Sequence, residues 1–373
     1  MELATSGHEV WVLTWPEFRQ AIDAELEKLA LPNLRFVYYT LPTWLAWWQQ
    51  GQRGIRLYYV LWQWGAYQLA KRLHAREQFD LVQHLTLGAI RHASFMGRLG
   101  IPFLFGPVGG GEHAPWRLRR GYSLLAKIGD LARDLTNGWV RYDPLMRQTF
   151  RQAQWIVATS QQTQALIPQR FWEKVQIQLA IGITSQIATR PERRQPHQPF
   201  SLIYVGRFLE WKGMHLGLAA FAMVLQQLPD ARLTLVGQGP AEKRWHRLAE
   251  TLGIAAQLDW ISWVNQKDLA ALYARHDLLL FPSLHDSGGM VVLEAMSHGL
   301  PVVCLDIGGP GRMVNALCGR VIATAGMKEA DVIRQLGNAI LLLANQPECW
   351  EKLSQGAFQR VKEFSWPKVV RAF

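Results

Sequence analysis

The sequence predicts an α/β protein built from two doubly wound parallel sheets that face each other across a crevice. Three observations carry that expectation. Short β-rich stretches alternate with helical ones through the first 180 or so residues, the arrangement of a parallel sheet with helical crossovers. The alternation restarts at Ser201, after the polar, proline-bearing "RPERRQPHQP". At 373 residues the chain is also longer than one hydrophobic core usually serves.

In chain order, "HEVWVLT" reads as a strand, "FRQAIDAELEKLA" as an amphipathic helix and "LRFVYYTL" as a second strand. A long helix over Arg56 to Arg76, the strand "FDLVQHL", a helix over Ala89 to Leu99 and the strand "IPFLF" follow. A helical region from Tyr122 to Ala153 leads to the closing strands "WIVATS" and "VQIQLAIG". The second series is cleaner: "SLIYVGR", "ARLTLVG", "QLDWISW", "DLLLFPS", "PVVCLD" and "GRVIATA", then two helices to the end. The expected boundaries are a first domain over 1–190, a linker over 191–200, a second domain over 201–355, and a final helix over 356–373 that packs back on the first domain. The opening "ELATSGHEVWVLT" looks like the end of a first helix followed by a second strand, so the first strand and its loop are expected to be missing.

Composition narrows the class. With 49% hydrophobic and 18% charged residues the chain is globular. No apolar run approaches the roughly 18 residues of a spanning helix, and the amino terminus lacks a signal-peptide pattern. A cytoplasmic protein, at most peripheral on the inner face of the membrane, is expected. Cys304, Cys318 and Cys349 show no metal-ligand spacing, so reduced thiols and no metal site are expected. Of the net charge of +11, residues 1–190 carry 21 Lys and Arg against 13 Asp and Glu, or +8, leaving +3 for the rest. No acid lies between Lys28 and Arg76, where Arg35, Arg53 and Arg72 stand among Trp44, Trp47, Trp62 and Trp64. That mixture suits an anionic membrane surface or anionic substrate, and equally a set of core aromatics under a solvated charged face. No nucleic-acid-binding motif accompanies the charge.

The chemistry concentrates in "DLLLFPSLHDSGGMVVLEAMSHG". A buried strand ends at Pro282, Gly288 and Gly289 form a turn, and a helix opens near Met290. Bare glycines let backbone amides approach a ligand, and a helix amino terminus favours phosphate. Asp286 and Glu294 repel phosphate but accept hydrogen bonds from vicinal sugar hydroxyls. Phosphate beside polyol points to a sugar nucleotide. "GRFLEWKG" adds Arg207 and Lys212 at a strand end as counter-charge for a diphosphate. Trp263 and Val264 in "WISWVNQ" supply an edge for a base. In the first half, His84 ends one strand, and Gly109, Gly110, Gly111, Glu112 and His113 follow another. Each has a plainer reading as a core histidine or a flexible turn.

The order of "VGRFLEWKG", "LVGQGP" and "VVLEAMSHGLPVV", with an acid, seven residues and then glutamate, resembles the family 4, or group 1, retaining glycosyltransferases. The resemblance covers the second unit and, more loosely, the first. It implies the GT-B fold, two Rossmann-like domains with the donor held by the second. It also implies that Arg207 and Lys212 contact the donor diphosphate, that the amides of Gly289, Met290 and Val291 bind phosphate or sugar oxygens, and that Glu294 holds the ribose. Asp286, one methylene shorter than the family's usual glutamate, would stand near the transferred sugar. Arg207, Lys212 and Asp286 are thus the catalytic candidates, with Val264 and Gly288 also lining the donor. Many relatives place a histidine at the end of the strand that here reads "PFLFGPV"; this chain has Gly106 and Pro107. His84, Gly109, Gly110, Gly111, Glu112 and His113 are then the acceptor-side candidates. The expected activity is sugar transfer from a nucleoside diphosphate donor to a glycan or lipid-linked acceptor, without a metal or cofactor. An epimerase on the same scaffold and a non-catalytic sugar-nucleotide binder are the alternatives.

Overall fold

The computed structural model describes residues 1–48, 54–85, 87–184 and 196–371. Twelve strands are present among them. In the first half these are β1 (Val10–Thr14), β2 (Leu34–Tyr38), β3 (Val82–His84), β4 (Phe103–Val108), β5 (Trp155–Ala158) and β6 (Val175–Ile177). The second half holds β7 (Ser201–Val205), β8 (Arg232–Val236), β9 (Leu258–Ile261), β10 (Leu278–Phe281), β11 (Val302–Leu305) and β12 (Gly319–Ile322). Every pairing between these strands is parallel. With parallel strands and helices between them, the chain folds as two Rossmann-like domains.

The second sheet is continuous, in the order β12-β11-β10-β7-β8-β9. Its central strands are buried on both faces, which is why "LLLF" and "VVCL" read as unbroken apolar runs. The Met214–Leu225 helix packs on it as an almost wholly buried rod, against the Glu329–Asn345 helix. The first half holds two sheets where one was expected: β1-β2, and β3-β4-β5-β6. Among the described residues no strand joins them.

Other departures are local. The helix expected over Ala89 to Leu99 is a turn followed by a single 3₁₀ stretch, Met96–Leu99. Ala89 bridges to Gly109, and the Ser94 amide bonds the Thr149 hydroxyl at 3.1 Å, so long-range partners draw the chain out of helical geometry. Residues 191–195 of the expected linker lie outside the described residues, and Arg53 lies outside them too. The chain's end returns to the first half: the Ile183 amide bonds the Phe364 carbonyl at 2.8 Å, and the Trp366–Arg371 helix meets the Glu2–Thr5 helix. Among the described residues, no helix is long and apolar enough to cross a membrane. The aromatics of residues 28–76 divide, with Tyr59 and Trp62 in the core and Trp44 and Trp47 exposed.

Candidate functional site

The strand order of the second sheet reverses between β7 and β10, so the loops leaving their carboxyl ends diverge and leave a crevice there. Both loops carry predicted site residues. The loop after β7 holds Arg207 and Lys212; the loop after β10 holds Asp286 to Gly289. They are drawn together by a hydrogen bond from the Leu284 amide to the Trp211 carbonyl at 2.8 Å. A Cβ on Gly213 would fall 1.9 Å from the Pro282 carbonyl oxygen, so a side chain there would force the loops apart. This approach brings Lys212 Nζ to 2.5 Å from Asp286 Oδ2, with both side chains largely shielded. The Phe281 ring lies 5.3 Å from the ammonium. The sequence places Lys212 against phosphate and Asp286 against sugar; in the structure they also hold each other. Arg207 is exposed and forms no ion pair among the described residues.

Gly289, at φ 85°, caps the Met290–Ser297 helix. The first-turn amides of Met290 and Val291 have no intrahelical acceptor, as in any helix, and lie beside Asp286 and Gly288. Glu294, one turn on, accepts a hydrogen bond from the Tyr273 hydroxyl at 3.1 Å. Burial, with the Glu294 carboxylate adding to it, pushes the Tyr273 pKa up, so the phenol remains a donor. Val264 is half-buried beside an exposed Trp263. The sequence reading did not single out Gly308 and Gly309, whose backbone supports this loop. The Gly309 amide bonds the Asp286 carbonyl at 2.8 Å. The signal was visible in "IGGPG", a glycine pair after the next strand.

The opposite wall comes from the first half. A cavity of about 240 Å³ is lined by Gly88, Pro107, Gly109 and Thr159 on one side and by Ser287 and Gly288 on the other. The buried Thr159 hydroxyl has no hydrogen-bond partner among the described residues. Glu112 is also buried: its carboxylate accepts hydrogen bonds from Ser287 Oγ (2.5 Å), Ser160 Oγ (2.6 Å) and the Gly110 amide (3.1 Å). Ser287 Oγ in turn accepts from the Gly110 amide at 2.9 Å, and the Gly111 amide bonds Thr163 Oγ1 at 3.2 Å. Gly110 and Glu112 therefore dock the first domain onto Ser287, beside the glycine turn of the second, while Gly109 lines the cavity and Gly111 is held within the first domain. His113 is exposed. His84 is buried, its ring 5.3 Å from Phe105 and its Nε2 3.4 Å from the Tyr59 hydroxyl. The structure brings the glycines and Glu112 to the crevice and seats His84 in the core. At Gly106 a Cβ would lie 2.3 Å from the Val157 carbonyl oxygen, so the backbone occupies the space a side chain would need.

Residues 185–357 match the family model described as glycosyl transferases, group 1. The carboxy-terminal half is thus similar to the group 1 glycosyltransferases. Curated relatives include a glycogen synthase of Mycobacterium tuberculosis, 29% identical over 187 residues, which are 48% of this chain and 42% of that protein. A D-inositol 3-phosphate glycosyltransferase of Corynebacterium aurimucosum is also 29% identical, over 48% of this chain and 43% of its own. The matches thus span less than half the length of these relatives. A solved structure, Anabaena HepE in complex with UDP, aligns over 98% of both chains with a TM-score of 0.61 at 17% identity, a likeness of fold.

The second domain also contributes a buried histidine that sequence reading passed over. His285, next to Asp286, reaches into the first domain, where Nε2 lies 3.1 Å from Asp130 Oδ2 and the ring meets Arg133. Arg119 sits on the same cluster, donating to Asp134 at 2.5 Å and to the Ala114 carbonyl at 2.9 Å. Burial lowers the His285 pKa, opposed by its bond to Asp130. Burial alone would raise the Asp130 pKa. The His285 hydrogen bond and the two guanidinium charges outweigh it and lower the pKa, which keeps the carboxylate ionised. The cluster fixes the backbone from which Asp286 projects.

Proposed function

We propose that the protein moves a sugar from a nucleoside diphosphate donor to an acceptor hydroxyl with retention of anomeric configuration, as a family 4 enzyme. The observation that carries the reading is the meeting of the loops after β7 and β10 at the strand reversal, where Lys212 bonds Asp286, with Arg207 on the first loop and the Met290–Ser297 helix, carrying Glu294, opening from the second. As the bond from sugar to phosphate loosens, negative charge grows on the departing diphosphate. The two cations and the helix amides meet that charge where it develops, favouring the transition state over the ground state. No metal ion is invoked, because the two side chains supply the counter-charge. Glu294, held by Tyr273, takes the ribose hydroxyls. Asp286 takes the transferred sugar, its reach set by the bond to Lys212.

The acceptor enters the cavity between Gly109 and Gly288. The unpartnered Thr159 hydroxyl supports a polar ligand there, since a buried hydroxyl without a partner costs stability that a ligand recovers. A departing phosphate oxygen takes the acceptor proton, so no side-chain base is assigned. The acceptor is a glycan or a lipid-linked saccharide.

The test is transfer by the purified chain from a panel of nucleotide sugars, with Lys212→Ala and Arg207→Ala alongside. Each variant should lose on the order of 100-fold in turnover while keeping its fold. Near-normal transfer by both variants removes the charge clamp. An epimerised donor, or binding without turnover, would replace the proposal with the corresponding alternative.

A further inference from the structure

The Leu124–Trp139 helix is turned inside out. Its polar residues Asp130, Arg133 and Asn137 face inward, to the His285 cluster and the glycine loop: Asn137 Nδ2 donates to the Gly110 carbonyl at 2.8 Å. The opposite face, spaced at one helical turn, presents Leu124, Leu125, Ile128, Leu131, Leu135 and Trp139 to solvent. Their exposures run from 49% to 82%. The stripe contains no charged residue, and Tyr142 extends it, its ring 6.1 Å from that of Trp139. An apolar face of this length left in water marks an interaction surface.

The charges around it indicate the partner. Residues 113–170 hold nine Lys and Arg against three Asp, a balance of +6. The three acids, Asp130, Asp134 and Asp143, are all buried or half-buried, and no acid in this span is exposed. At the carboxyl end of the stripe Arg141 and Arg147 are both exposed, with Arg147 Nε donating to the Arg141 carbonyl at 2.9 Å. At the amino end Arg120 and Lys127 stand near Glu329, which offsets part of their charge. An apolar helix face ending in an aromatic pair and rimmed by guanidinium groups is the chemistry of a helix lying in an anionic lipid interface. A second copy of the same face would bring like charges together.

We propose that the exposed face of the Leu124–Trp139 helix docks the protein onto a membrane surface containing anionic lipid. The docking does not depend on the transfer chemistry, so it stands or falls separately. It differs from the expectation drawn from residues 28–76, because Tyr59 and Trp62 of that stretch are core.

The full chain should co-sediment with vesicles of phosphatidylcholine plus phosphatidylglycerol, more weakly as salt rises, and should ignore phosphatidylcholine alone. The pair Leu131→Gln and Leu135→Gln, at exposed positions, should weaken vesicle binding at least roughly tenfold, and Arg141→Gln with Arg147→Gln severalfold. Both pairs should keep the wild-type circular dichroism and nucleoside diphosphate binding. Three results would each overturn the proposal: wild-type chain that leaves anionic vesicles untouched, glutamine variants that bind them as well as wild type, or a wild-type dimer that the same glutamines disperse. If the double leucine variant unfolds, the single substitution Ile128→Gln on the same face takes its place and is read against the same vesicles.

Discussion

Acid should open the seam between the two domains at His215. This residue lies on the Met214–Leu225 helix, with Nε2 2.9 Å from the Leu118 carbonyl of the first half and its ring packed edge-on against Tyr122 at 5.7 Å. Burial lowers its pKa to about 4, against the partial support of the Leu118 carbonyl, with the Arg244 charge lowering it further. In the unfolded chain the ring binds a proton near the ordinary value of 6.5. Between those values the unfolded state holds the extra proton, so stability is complete above pH 6.5 and is lost as the pH falls towards 4. At roughly 1.4 kcal/mol for each pH unit, the neutral ring accounts for about 3 kcal/mol of that loss. His215→Gln keeps an N–H donor for Leu118 but cannot titrate. Urea unfolding of both proteins above pH 6.5 and near pH 4 should show the wild type losing about 3 kcal/mol more than the variant. Proton NMR should place the resonance missing from the variant at a pKa near 4. A histidine titrating at 6.5, or parallel acid losses in both proteins, would refute the reasoning.

Two further substitutions test the crevice walls. Ser287→Ala removes the hydroxyl shared by Glu112 and the Gly110 amide; a hydrogen bond to a buried carboxylate is worth about 1.5–3 kcal/mol, and urea unfolding should register a loss of that order. Thr159→Val replaces an unpartnered buried hydroxyl with a methyl group, so stability should hold or rise slightly while the acceptor KM rises about tenfold. An unchanged KM would take Thr159 out of the acceptor site.

The second domain was legible because its physics is local. Strands buried on both faces read as apolar runs, and a glycine pair between strand and helix reads as a phosphate cradle without knowledge of what packs on it. Lys212 and Asp286 were legible as residues of one site but not as a pair, since their bond depends on Gly213 letting two loops touch, a fact that periodicity does not contain. Ala89 to Leu99 failed for a similar reason. Ile90, Ala93 and Met96 keep helical spacing and are all buried, yet bonds to Gly109 and Thr149 win over local propensity.

The Leu124–Trp139 helix shows where such reading must stop. Its periodicity is strong enough to predict a helix and two faces, and the ordinary inference turns the apolar face inward. Here the polar face is inward because Asp130 and Arg133 find buried partners there, His285 from the other domain and the Glu112 carbonyl from the glycine loop. A pattern in one segment specifies that two faces differ. Which one is covered depends on what the rest of the chain brings to meet it. The inverted helix therefore ties two properties together: the same residues that seat the Asp286 loop from the inside oblige the apolar side to find its cover outside the protein.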